Sequence, residues 1–228
     1  MAFEQLERLY GLDRSCITHL VFGTMTGTIA APSMDVQLSQ KLGLSPFVQR
    51  LNIEAMGCLT GVRLTGLCQD LIGASKNKRV LLITCDIRSA LGHTMPPFDP
   101  AEPFDRCQVI TAALFRDGAA AAIIGHPPTA TNSKQNLLVK VTEPPRFTIL
   151  DHLSFLVPQS SHLAWLQEEN DGAQRLYLDK ALPKRVAEHL PTLVKGLAEK
   201  HGIDLSSCQF VIHPGGPRVL ENVGATLS

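Results

Sequence analysis

Five short apolar runs, separated by helical patterns, set the terms on which this chain can fold. They are His19 to Phe22, Val80 to Thr84, Ala119 to Ile124, Leu137 to Val141 and Phe210 to Ile212. None alternates apolar with polar residues, so each reads as a strand buried on both faces. Between them, Gln37 to Leu42 predicts a short helix. Leu59 to Ile72 carries Leu59, Val62, Leu67 and Leu71 at helical spacing, with Gly73 as its stop. Lys184 to His201 is the longest helical pattern and Gly202 closes it, while Pro191 inside it predicts a kink or a split. Strands alternating with helices imply a layered α/β architecture.

Two stretches interrupt the alternation. Gly92 to Asp105 holds Pro96, Pro97, Pro100 and Pro103 and reads as an irregular excursion. His126 to Gln135 is polar and marks the boundary between two halves. The 228 residues suffice for one large domain or two small ones. Lys+Arg and Asp+Glu both number 21, a balance that argues against a nucleic-acid backbone or an anionic membrane as partner. No run approaches the roughly 20 apolar residues of a membrane span, and the opening Met1 to Leu12 lacks the pattern of a signal peptide. The six cysteines at 16, 58, 68, 85, 107 and 208 form no CxxC and no metal-ligand spacing. They read as reduced thiols of a cytoplasmic protein, and the scattered histidines give no ligand pair, so no metal is expected.

Two local patterns could carry chemistry. In Ala55-Met56-Gly57-Cys58-Leu59-Thr60-Gly61 a thiol stands where an extended segment meets an apolar helix, between small residues that admit a substrate. The positive end of the helix dipole would favour the thiolate there, and backbone N–H groups could hold an oxyanion. The same residues also fit a small apolar side chain at a tight turn. In Val211-Ile212-His213-Pro214-Gly215-Gly216-Pro217 a histidine ends an apolar run and enters a turn whose glycines let a ligand pass close to the backbone. A His-Pro pair also makes an ordinary turn. Together, Cys58 and His213 suggest a nucleophile and its base.

These motifs, in this order, resemble the type III polyketide synthases, the chalcone and stilbene synthase family of the thiolase superfamily. His19 to Thr24 looks like the strand before the family's dimer-contacting loop, and Ala31 to Asp35 with Leu42-Gly43-Leu44 like the helix leading to the nucleophile. Gly57-Cys58 is similar to the family's nucleophile turn, and His213-Pro214-Gly215-Gly216-Pro217 to its histidine motif. Ala113 to Ala121 matches the family's Leu-Phe-Gly-Asp-Gly segment, with Arg116 in place of a glycine.

The resemblance implies a thiolase-like layered αβαβα fold, here incomplete. Residues 1–125 would be the second part of the N-terminal half, 126–136 a linker, and 137–228 the first part of the C-terminal half. It implies decarboxylative Claisen condensation on a Cys58 thioester, with acyl-CoA and malonyl-CoA as substrates, His213 as the catalytic partner and no resident cofactor. Phe115, which also fits an ordinary core residue, would bind substrate with Leu91, Gly215, Gly216 and Arg218. It further implies a homodimer, or docking to a full-length synthase. The family's catalytic asparagine has no counterpart in the fifteen residues after His213, where Asn222 lies in a helical pattern. Only 57 residues precede Cys58, so the expectation is the middle of a synthase, with an impaired remnant or a non-catalytic docking partner as the alternative.

Overall fold

The computed structural model describes residues 2–10, 13–27, 31–91, 113–126, 147–168 and 174–227. The chain groups into two compact units, one of Met1–Ile87 and Asp117–His152, the other of Arg88–Arg116 and Leu153–Ser228. The proline-rich Gly92 to Asp105, the strand expected over Leu137 to Val141, and Pro127 to Gln135 of the polar boundary lie outside the described residues.

The first unit is built on a four-stranded sheet of order β2-β1-β3-β4. The strands are β1 (His19–Thr24), β2 (Gln49–Glu54), β3 (Arg79–Asp86) and β4 (Gly118–Gly125). β1 lies parallel to both β2 and β3, and β4 runs antiparallel to β3. Every residue of the central strand β1 is buried, as an apolar run without alternation requires.

Two faces of that sheet hold separate apolar clusters. Leu20, Phe22, Leu81 and Ile83 turn to the side that also holds Phe3 of α1 (Ala2–Tyr10), Leu38 of α2 (Met34–Lys41), Leu44 and Val48. Val21, Val80 and Leu82 turn to the other side, against Leu64, Cys68 and Ile72 of α3 (Thr60–Ile72). The result is helix, sheet and helix in three layers. Asp35 ties α2 to the edge of the sheet, since its buried carboxylate accepts from Ser33 Oγ at 2.6 Å and meets Arg50 of β2 at 3.3 Å. At Gly23, α3 comes down onto β1 itself. A Cβ there would collide with Leu64 and stand 2.7 Å from Thr60 Cγ2. Gly73, at φ +50, ends α3 as its position in the sequence predicts.

β4 departs from expectation. It forms where the sequence places a strand, yet Ala119, Ala120 and Ala122 are exposed. Being the edge of the sheet, it has the neighbour β3 on one side, and alanine is too short to reach across to a covering layer.

In the second unit, β5 (Ala164–Glu168) and β6 (Gln174–Leu178) pair antiparallel, a hairpin that the sequence reading did not anticipate. Trp165 and Tyr177 face each other across it, their rings stacked at 3.9 Å and 11°. Two helices pack together, α4 (Leu182–His201) and α5 (Pro217–Leu227). α4 runs unbroken through Pro191, so of the kink or split expected there the split does not occur. A proline forfeits one backbone hydrogen bond, a loss that the apolar face of a 20-residue helix outweighs. Gly202, left-handed at φ +62, caps it. The strand expected over Phe210 to Ile212 is absent. Among the described residues no neighbour supplies the ladder that a strand needs, and Val211 is fully exposed.

Candidate active site

The parallel strands β1, β2 and β3 end at one edge of the first unit's sheet, and the turn holding Cys58 leaves from that edge. After Glu54 the chain bends through Ala55, held at φ +60, and Gly57, at φ +77. A single 3₁₀ turn, Gly57–Leu59, then passes into α3. Both left-handed residues fall within three positions of the thiol, a concentration of backbone constraint that turns the chain sharply between strand and helix. No heavy atom would obstruct a Cβ at Gly57, so its backbone angle alone calls for glycine.

The peptide groups of Gly57 are held at both ends. Its carbonyl accepts from Thr60 Oγ1 at 2.6 Å and from the Thr60 N–H. Its N–H donates to Met25 Sδ at 2.8 Å. Met25, in turn, lies just beyond β1 and donates its own N–H to Asp86 Oδ1 at 2.6 Å. Thr24 Oγ1 donates to the same carboxylate oxygen at 3.1 Å, and the Ile87 N–H reaches Thr26 Oγ1 at 2.8 Å. The ends of β1 and β3 are thereby stitched together beside the cysteine turn.

Cys58 is exposed. Its electrostatics differ from the sequence expectation. The protein packed around the turn pushes the thiol above its usual range; a backbone N–H offsets part of that, and the Asp86 carboxylate adds to the rise. The favourable helix dipole expected here does not prevail. Cys58 lies in the 3₁₀ turn before α3, and the burial of its thiol is the main cause of the rise, with the Asp86 carboxylate a smaller one.

Neither Asp86 nor Met25 emerged from the sequence reading. The available signal was an acid closing the otherwise apolar run of β3, where an apolar residue would have continued the strand.

The other expected site residues belong to the second unit. His213 is exposed, and its carbonyl accepts from the Gly215 N–H at 2.9 Å in a tight turn. A Cβ on Gly215 would lie 3.3 Å from His213 Cδ2, so glycine lets the ring fold back over the turn. Gly216, at φ +123, adopts a backbone that suits glycine alone. Arg218 is exposed in the first turn of α5, and Asn222 donates to its carbonyl at 2.7 Å, an ordinary bond within the helix. Phe115 is half-buried. Leu91 ends a 3₁₀ turn, Arg88–Leu91, and its side chain is outside the described residues. Among the described residues no group of three His, Cys, Asp or Glu could hold a metal ion, and no helix is long and apolar enough to cross a membrane.

The family model of the chalcone and stilbene synthases, N-terminal domain, matches residues 3–128. The chain belongs to the chalcone and stilbene synthase family. The matched stretch contains the whole β1–β4 sheet, the Gly57–Cys58 turn, Leu91 and Phe115. His213, Gly215, Gly216 and Arg218 lie beyond it. In this chalcone and stilbene synthase family member, then, the Gly57–Cys58 turn and Asp86 stand on the part of the chain that carries the family match.

Proposed function

We propose that this chain is an acyltransferase of the type III polyketide synthase kind, with the thiolase-like fold its family implies. Cys58 is the nucleophile. Its thiolate attacks the carbonyl of an acyl-CoA thioester, a C–S bond forms to the protein, and coenzyme A leaves as thiolate. Malonyl-CoA then loses CO₂, and the resulting enolate attacks the Cys58 thioester. A carbon–carbon bond forms and Cys58 is released.

The observation that carries this reading is the Gly57–Cys58 turn itself, an exposed thiol next to a glycine whose N–H and carbonyl are both hydrogen-bonded, inside the family-matched stretch. In the first unit the protein packed against the turn, and to a smaller extent Asp86, raise that thiol and so favour its protonated form. An enzyme of this kind therefore needs a cationic partner, the role assigned to the His213 imidazolium, which also donates to the enolate oxygen. Phe115, Leu91, Gly215, Gly216 and Arg218 are assigned to substrate binding. Both thioesters are substrates, so the chemistry calls for no resident cofactor. Residues 1–125 and 137–228 are read as parts of the N- and C-terminal halves.

A second reading is favoured by exposed apolar side chains on the first unit, where Phe47 is 92 % and Val62 78 % accessible. They suit pairing with a second copy or with a full-length synthase.

Intact mass after incubation with a panel of acyl-CoA thioesters tests the catalytic reading. The expected result is a gain equal to the acyl group, lost in Cys58→Ala and slowed by about 10² or more in His213→Ala. A folded, soluble parent chain that takes up no acyl group overturns it and leaves the docking reading.

A further inference from the structure

Among the described residues Met25 belongs to neither apolar cluster of the first unit; its sulfur instead receives the N–H of Gly57, the residue before Cys58. We propose that Met25 is a positioning residue for Cys58, a tether that fixes the nucleophile turn against Asp86. The assignment builds on the reading of Cys58 as nucleophile and adds a residue to it.

Three observations support it. First, the tether is rigid at its root, because the Met25 N–H is bound to the Asp86 carboxylate at 2.6 Å and the adjoining Thr24 hydroxyl binds the same oxygen. Second, it holds the Met56–Gly57 peptide by its N–H while Thr60 holds the next peptide by the Gly57 carbonyl, so the two bonds together fix the backbone on either side of Gly57. Third, Ala55, three residues before the thiol, sits at φ +60, a conformation that costs a residue with a Cβ and persists when surrounding bonds hold it. A thioether is a weak acceptor, but this one answers a backbone N–H for which the turn offers no carbonyl.

The consequence reaches Cys58 through geometry and charge together. Met25 is bonded to Asp86 by its backbone and to Gly57 by its side chain, and it thereby sets the spacing between the carboxylate and the thiol. Releasing the tether lets the thiol move away from Asp86. It then ionises more readily, while its placement for attack is lost.

The experiment compares the full chain with Met25→Leu, which keeps the volume and removes the acceptor, and Met25→Gln, whose amide oxygen restores one. Three quantities are read: hydrogen exchange of the Gly57 amide, the pH midpoint of Cys58 alkylation by iodoacetamide, and acylation by acyl-CoA. In Met25→Leu, Gly57 exchange should rise about five- to tenfold. The alkylation midpoint should move to lower pH, and acylation should slow by about tenfold or more. Met25→Gln should recover all three. General loosening would also uncover the thiol and lower its midpoint, so the discriminating result is recovery of all three quantities in Met25→Gln, which restores the acceptor and which a merely damaged fold would not show. Unchanged Gly57 exchange and an unchanged midpoint in Met25→Leu overturn the proposal. Should both variants fail to fold, ⁷⁷Se spectroscopy of the selenomethionine-labelled parent decides: a Met25 resonance that responds to exchange of the Gly57 amide for deuterium supports the tether, and one that does not respond sinks it. If the exchange and alkylation effects occur while no chain, parent included, accepts an acyl group, the acyltransferase reading fails and the tether stands.

Discussion

His152 lies so close over Gly66 of α3 that a Cβ on the glycine would come within 2.6 Å of the imidazole Cγ. One turn further along, the ring's Nε2 meets Asp70 Oδ1 at 3.0 Å, and Gln69 donates to the carbonyl of Ile149 at 3.1 Å. Three neighbouring positions of one helix thus hold the segment that ends at His152.

Gly66→Ala should therefore lift the 147–152 segment from α3. The expected cost is about 1–3 kcal/mol, the range for an added group in a packed contact. Limited proteolysis should show faster cleavage near residue 150, and Asp70→Ala should show a weaker version of the same effect because that pair is largely exposed.

Gly57→Ala should fold with a penalty of about 1–2 kcal/mol, because φ +77 is costly for a residue with a Cβ even where space is free. The larger effect should fall on Cys58, whose acylation should slow by more than the stability loss accounts for. Chemical denaturation beside acylation kinetics separates the two.

Asp86→Asn keeps an acceptor for Met25 and Thr24 but removes a charge that raises the Cys58 thiol. The alkylation rate of Cys58 at pH 7.5 should increase and its pH midpoint should fall. An unchanged midpoint would show that burial alone sets the thiol.

Cys68 offers a test of pH-dependent stability. Wholly buried under the sheet, its thiol is pushed from 9.0 up to about 12. Between those values the unfolded chain ionises this thiol and the folded chain does not, so the folded state binds more protons. Stability should fall as pH rises above 9, by about 1.4 kcal/mol per unit for this group. Urea unfolding at pH 8, 9 and 10 should show a steeper decline in the parent than in Cys68→Ala.

The sheet was legible because its signal is local: unbroken apolar runs at β1 and β3 leave no solvent-facing side, and Gly73 and Gly202 stop their helices at the residues expected. β2 was harder to see. Gln49, Arg50 and Asn52 belong to an edge strand whose pairing with β1 supplies what its composition does not. Phe210 to Ile212 shows the converse error, since apolar composition cannot provide a neighbouring strand. At the site, Cys58 was marked by the small residues around it. Met25 gave no signal and Asp86 only that of an acid closing β3, because their importance comes from register: Gly23 pairs with Thr84 and with Ile53, which brings the ends of three strands together.

That register has a consequence for the order in which the chain matures. The Thr24–Asp86 link spans 62 residues and the Met25–Gly57 link 32, and parallel strands cannot be paired by a short hairpin. The helix that follows Cys58 can wind from nearby residues alone, but the bonds that aim the thiol close only after distant strands have met. A chain still searching for its sheet carries the Cys58 thiol without the bonds that place it, so the chemical reactivity of Cys58 should report completion of the fold around it.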